Sequence, residues 1–516
     1  MADKAIISER KFQKLVEKRA NRLLRAARYL TQQQSIQRVM ARPVLGELLS
    51  QSTQVEELLD AYGARGNHNW LIYRSIIAAI KQFSEVGYEL LHILHALSSY
   101  RLLPIGQDFL AATNQTADFT GGVLLEAAKK ITDYSGQLGL SIPSEKTGEE
   151  EYSEDLPPGR LPQDGGVSIG DSAQKTVILL ATSFLNLAAE SRALQPDGSY
   201  NHKITTESEQ DSLTEERFRR LELRFHNLQS LYDTYVLGTE TEKLDENLPV
   251  LRGHISVIFH LLRTATGFAH YYERHLKIQC GNIMERQEPL VKADMLLSVL
   301  RDYSVSYAGE YLVCARHLCQ DMLKRYAEIG EIEAPVPPYR GFHVRPATLI
   351  SRLVIHYGSE VQMKLQGQRY DAGSALELFR ANEMINAQKR RSLANKILSL
   401  KLIPTTTSAE DIKQIVRRIV VKLAEQGALV MYEQPLSLSD EPVDKEGTIT
   451  EQVVSEINRL LLAGKIDVDS GLRAKFIGDK RVLADIKLLA ESGYGEDSFG
   501  NNIALPEKLK YPTNPA

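Results

Sequence analysis

Three residues in the stretch "RGFHVRPATLISRL" (340–353) have types and spacing that could do chemistry together. His343 offers an imidazole that is a competent nucleophile near neutral pH, because its ordinary pKa lies at about 6.5. Arg345, two residues on, supplies a planar cationic fork suited to phosphate oxygens. Pro346 fits the first turn of a helix, where backbone N–H groups have no intrahelical partner to lose. A helix start also presents unpaired N–H groups and the positive end of the helix dipole, which favour an anion. Together these parts suit a site that accepts a phosphoryl group on histidine. Taken alone, the histidine is equally explained as a helix cap.

Such a site needs a helix behind the histidine and a sheet to carry that helix. Residues 344–357 place Ala347, Ile350, Val354 and Tyr357 on one helical face. Residues 360–366 alternate, with Val361, Met363 and Leu365 on one side and Gln362, Lys364 and Gln366 on the other. Gly367 then permits a turn into "QRYDAG". A second helix begins near Ser374. Leu398, Leu400 and Leu402 alternate again, and Ile412, Ile415, Val416, Ile419 and Leu423 restore a helix. The sum is a small α+β domain with helices laid against one antiparallel sheet.

At this point "GFHVRPATL" resembles the active-site signature of the HPr phosphocarrier proteins of the bacterial phosphoenolpyruvate-dependent phosphotransferase system. A second landmark agrees: Ser374, in "YDAGSALEL", stands thirty-one residues after the histidine, where that family has a serine opening its second helix. The intervening order of helix, strand, turn and strand is also similar. The resemblance covers 341–386, more loosely to 426. It implies an open-faced α+β sandwich in which His343 accepts a phosphoryl group from a phosphohistidine on an enzyme I-like donor. It further implies that Arg345 stabilises the phosphoryl charge, and that Ser374 is a regulatory phosphorylation site. Leu376, Leu378 and Phe379 would belong to the apolar patch on which partners dock. No metal or cofactor is implied. The sequence departs from the family in three places. Pro335, Pro337 and Pro338 deplete the ladder donors ahead of the histidine, so a replacement strand is expected, with "ALVMYEQ" (428–434) as its candidate. "INAQKRRSLANK" adds residues after the second helix. Gly373 and Glu377 stand where relatives often carry lysine.

At 516 residues the chain exceeds what one core can serve, so several domains are expected. Residues 1–142 read as a helical domain, and 173–330 as another that could form one bundle with it. Between them, 143–172 reads as an acidic linker or loop rich in Pro and Gly. Its stretch 143–166 holds seven acidic residues against two basic ones, and four prolines, so little there could be buried. Thr214 before an acidic turn marks a helix start. The HPr-like domain is set at 331–434 and a mixed C-terminal segment at 435–516. The fold expected is thus multidomain: an all-α region over about 1–330, then an α+β sandwich and a mixed tail.

Other features carry less chemistry. The first 42 residues hold eleven Lys or Arg against three acids. That basic amphipathic helix is read as a docked helix with a solvated face, ahead of one that binds nucleic acid, anionic lipid or an acidic partner. His254, His260, His270 and His275 lack the spacing of a helical metal site and read as bundle-interior or surface residues. Cys280, Cys314 and Cys319 are an odd, sparse set without disulfide or zinc spacing, as expected of a reducing cytoplasm. No run is long and apolar enough to span a bilayer, the N-terminus lacks the apolar core of a secretory signal, and no Walker loop, Rossmann fingerprint or nucleophile elbow occurs. A formal charge of −4 argues neither for nor against a nucleic-acid partner, and nucleic acid is not expected. The expectation is a cytoplasmic phosphocarrier or regulatory protein rather than an autonomous enzyme, with an enzyme I-like phosphodonor and other phosphotransferase-system or regulatory proteins as partners. The alternatives are an interaction scaffold that carries no phosphate, and an enzyme whose site lies in the helical region.

Overall fold

The computed structural model describes residues 6–33, 36–143, 152, 173–191, 194, 213–277, 289–399, 401, 403, 412–432, 436–437, 448–468, 471–497 and 499–510. Apart from Pro143 and Tyr152, the expected linker lies outside them, as does Cys280. The chain divides into two compact units, Met1–Cys319 and Gln320–Ala516. The sandwich expected from 331 onward and its mixed tail therefore belong to one unit.

The first unit is helical. Its longer helices are α1 (Glu9–Thr31), α2 (Arg42–Ala61), α3 (His68–Ala96), α4 (Phe109–Gln137), α5 (Ala173–Glu190), α6 (Glu215–Tyr235) and α7 (Asn247–Tyr271). Side-chain caps start three of them: Asn67 accepts from Asn69 N and Trp70 N, Asp108 from Ala111 N, and Thr214 from Arg217 N. From Gly253 to Ala269 every residue of α7 except Arg263 is buried, so this helix is covered on all its faces and its polar side chains must find partners inside. It packs against α3 and α6, and α3 packs in turn against α2 and α4. Helical segments on both sides of the expected linker thus share one bundle. α1 buries Phe12, Val16, Ala20, Leu23 and Leu24, while Arg10, Lys11, Lys14, Lys18 and Arg19 stay exposed. Two further helices, α8 (Ala293–Val299) and α9 (Ser306–Arg325), follow, the second crossing the unit boundary.

The second unit is built on β1 (Ile329–Pro335), α10 (Val344–Tyr357), β2 (Val361–Leu365), β3 (Gln368–Asp371) and α11 (Ala375–Ser399). Then come α12 (Ile412–Glu425), β4 (Val430–Met431), α13 (Ile449–Leu462), β5 (Ile466–Asp467), β6 (Arg473–Asp479) and α14 (Lys480–Glu491). β1, β6, β2 and β3 form an antiparallel sheet in that order. Val361, Met363 and Leu365 of β2 and Ala474 and Phe476 of β6 are buried, and Met363 is paired with Phe476, so one face of the sheet is covered. On the strands' alternate positions, Lys475 pairs with Glu331 at 2.7 Å and Arg473 with Glu333 at 3.5 Å.

Four expectations are corrected here. The prolines do not abolish the strand before His343: β1 lies at the sheet edge and ends at Pro335, where a missing donor costs little. The strand beside it is β6, from the segment assigned to a separate tail, and not 428–434, whose Val430 and Met431 pair instead with β5. The boundary at 434 therefore cuts through one folded unit, because the central strand lies beyond it. Of the alternation at Leu398, Leu400 and Leu402, Leu398 is helical, since α11 runs on to Ser399, and Leu400 and Leu402 lie outside the described residues. Leu393 and Ile397, one turn apart, enter a second apolar core with Ile415, Val416 and Ile419 of α12 and Val453 and Ile457 of α13.

Candidate functional site

The site begins where β1 gives way to α10. Arg340 and Gly341 both adopt left-handed backbone, at φ 52° and 63°. Asp467 Oδ2 accepts from Arg340 N at 2.9 Å, and Asn382 Nδ2 donates to Arg340 O at 2.7 Å, so both peptide groups of Arg340 are held. Asp467 Oδ1 in turn accepts from Lys389 Nζ at 2.7 Å, with 1% of the lysine side chain exposed. A Cβ at residue 341 would come within 2.1 Å of Asn382 Oδ1, so glycine is required there on two counts. This turn delivers His343 to the cap position of α10. Its carbonyl accepts from Ala347 N at 3.1 Å, but its side chain makes no cap hydrogen bond. With proline third in the helix, Val344 N and Arg345 N are the first-turn donors without an intrahelical acceptor.

The imidazole instead meets a carboxylate. His343 Nε2 lies 2.8 Å from Glu496 Oε2, and Glu496 is 8% exposed. An ionised carboxylate only accepts, so Nε2 carries the hydrogen and Nδ1 of the neutral ring keeps its lone pair. Glu496 arrives on a tight loop after α14. Gly493, Tyr494 and Gly495 are all left-handed, and buried Tyr494 donates its hydroxyl hydrogen to Pro335 O at 2.6 Å. Asp497 Oδ1 accepts from Phe499 N and Asn501 N, both at 2.8 Å, which closes the loop. The Tyr339 ring stands edge-on to the imidazole, centroids 5.5 Å apart.

Arg345 lies along the same loop. A Cβ at residue 495 would sit 3.3 and 3.4 Å from its Nη2 and Nε, so the glycine leaves room for the guanidinium. Its Nε is buried without a hydrogen-bond partner. A nucleophilic nitrogen, unpaired helix-start donors and a cation with an unused donor thus share one loop cluster, which suits an incoming trianionic or dianionic oxygen group.

The remaining expected residues divide. Ser374 caps α11, its Oγ accepting from Glu377 N at 3.3 Å. Leu376 and Phe379 are exposed at 70% and 46%. Leu378 is fully buried and belongs to the core, which removes it from the docking patch. Glu496, Asn382, Asp467 and Lys389 were not anticipated. Glu496 is 153 residues from His343, and its only local signal is an acid within the glycine-punctuated "GYGEDSFG".

In the first unit His254 and His260 are buried and hydrogen-bonded. His254 Nδ1 donates to Val250 O at 2.8 Å while its Nε2 accepts from Leu103 N. His260 Nδ1 lies 2.6 Å from Glu89 Oε2, and its ring is 4.0 Å from that of His92. Burial pushes the buried Cys319 thiol well up, away from nucleophilic use. Among the described residues no group of three or more His, Cys, Asp or Glu could hold a metal, and no helix is long and apolar enough to cross a membrane. Comparison of the chain with family models, with curated proteins and with solved structures finds no match.

Proposed function

We propose that this protein is an HPr-like phosphocarrier or regulatory protein in which His343 Nδ1 accepts a phosphoryl group from a phosphohistidine on an enzyme I-like protein. The observation that carries the reading is the 2.8 Å contact between His343 Nε2 and the buried Glu496 carboxylate. It commits the ring to the tautomer whose other nitrogen can attack. In the transfer, the donor's P–N bond breaks as the Nδ1–P bond forms, and the donor imidazole leaves with the electron pair. No proton needs to move: the ring keeps its Nε2 hydrogen and becomes cationic, and Glu496 offsets that charge. Arg345 and the amides of Val344 and Arg345 hold the three phosphoryl oxygens and keep the phosphorus in line between the two nitrogens as the bond to the donor lengthens.

Ser374 fits a control point in this scheme. Its hydroxyl already serves the start of α11, where a phosphate would meet favourable backbone dipoles while repelling an acidic partner face. The helical unit would read the phosphorylation state or pass it to partners in the cytoplasm. The test is incubation with phosphoenolpyruvate and enzyme I, with and without His343→Ala. An acid-labile label that His343→Ala abolishes is expected. Absence of label under conditions that load an ordinary HPr protein overturns the reading.

A further inference from the structure

An aromatic strip leads away from His343. The Tyr339 ring lies edge-on to the imidazole at 5.5 Å, Tyr432 lies edge-on to Tyr339 at 5.0 Å, and Phe499 follows at 6.3 Å from Tyr432. The strip opens outward: Tyr339 and Tyr432 are half-buried, and Phe499 is 59% exposed. Exposed Arg340 places its guanidinium carbon 5.7 Å from the Tyr339 ring centroid. Each member is fixed in place. Tyr432 N donates to Lys465 O at 2.9 Å, and a Cβ at residue 500 would come within 2.4 Å of the Tyr339 ring, so the loop behind Phe499 lies flat against that ring.

We infer that this strip is the docking surface for the phosphodonor protein, and that Phe499 is its outer anchor. The inference rests on the phosphoryl-transfer reading of His343. A protein donor must bring its phosphorus to Nδ1, and a standard interface covers about 800 Å² on each partner, a disc of about 16 Å radius. The three ring-to-ring steps put Phe499 no farther from His343 than about that radius, so a donor centred on His343 reaches it at its rim. A strip of rings with an exposed phenylalanine at one end and an arginine against Tyr339 at the other has the composition of an interface, since an aromatic side chain buries much apolar area at little conformational cost. The partner that fits has an apolar contact region rimmed by acidic groups, complementary to Arg340 and Arg345. Tyr432 and Phe499 lie outside the stretch that resembles HPr, in segments placed after α12 and α14. The strip therefore selects a donor by contacts that an ordinary HPr domain does not make.

The experiment is the steady-state transfer from phosphorylated enzyme I to the full chain, comparing wild type, Phe499→Ala and Phe499→Tyr, with phosphoramidate as a protein-free donor to the wild type. Phe499→Ala should raise KM for the transfer roughly tenfold with kcat held within twofold, and Phe499→Tyr should restore the wild-type KM. An unchanged KM in Phe499→Ala, with the wild type labelled normally, overturns the strip and leaves the His343 reading standing. A wild type labelled by neither donor overturns the His343 reading itself. Labelling by phosphoramidate alone excludes this donor, and the docking surface with it.

Discussion

Glu496 Oε2 sits 2.8 Å from His343 Nε2, with the glutamate side chain 7% exposed and the histidine side chain 20% exposed. A buried carboxylate on the far nitrogen orients the ring and balances the positive charge it gains on phosphorylation. Glu496→Gln keeps an oxygen able to accept from Nε2 but removes the charge. A hydrogen bond to a charged group contributes about 1.5–3 kcal/mol. Acceptance of phosphate by His343 should therefore slow at least tenfold, read from the initial rate of acid-labile labelling. A rate within twofold of wild type would mean that the carboxylate charge is idle.

That contact also marks the limit of what the residues disclosed in advance. The histidine, its helix and the β2–β3 turn were legible because each is encoded locally: a period of three to four over 344–357, alternation over 361–365, and Gly367 at φ 86°. The start of α6 at Thr214 was legible for the same reason. β6 carries alternation too, in Ala474, Phe476 and Gly478, yet nothing local says which sheet it joins. Its place between β1 and β2 is settled by pairing across more than a hundred residues. Leu398 and its neighbours show the converse failure. A short apolar alternation predicts a strand there, yet Leu398 is helical, in the last turn of the helix that delivers Leu393 and Ile397 to a second core. Glu496 had no spacing rule to reveal it, because a loop folded over β1 brings it to His343.

Gly341 should tolerate no side chain. At φ 63° an alanine costs about 1–2 kcal/mol in backbone strain. Its Cβ would also force Asn382 aside and break the 2.7 Å hydrogen bond from Asn382 Nδ2 to Arg340 O. Gly341→Ala should lower stability by about 2–3 kcal/mol in total, measured by urea denaturation followed by circular dichroism. Adding Asn382→Ala should recover part of the loss by clearing the collision. If the double variant is as unstable as the sum of the two single variants, the collision is not the cause.

Lys389 and Asp467 form a nearly solvent-free ion pair at 2.7 Å that also secures Arg340 N. Removing one partner of such a pair leaves an uncompensated buried charge, at about 3–5 kcal/mol. Lys389→Met should therefore destabilise far more than loss of an exposed lysine. Asp467 would also release the turn ahead of His343, so labelling should fall under conditions where the variant remains folded. Urea midpoints and labelling rates on the same preparation check both parts. A midpoint unchanged from wild type would show that the pair contributes nothing net.

The first unit should weaken in acid through its buried histidines. His275, in the turn that follows α7 and stacked on Tyr271 at 5.3 Å, is pushed down to about 3 from 6.5, by burial first and then by the nearby positive charges of His270, Arg74, Lys81 and Arg65. His92 is lowered to about 4, again chiefly by burial, with His260 beside it. In the unfolded chain both rings take up protons near their ordinary value, while in the folded chain they stay neutral until far lower pH. The unfolded state therefore binds more protons in that window. Stability is complete above pH 6.5 and falls as the pH drops toward 3, at up to about 1.4 kcal/mol per pH unit for each such group. His275→Phe keeps a ring against Tyr271 and removes the proton site. Its urea midpoint should fall less steeply than the wild-type midpoint in a series from pH 7 to pH 4. Parallel wild-type and variant profiles would show that His275 does not govern the acid response.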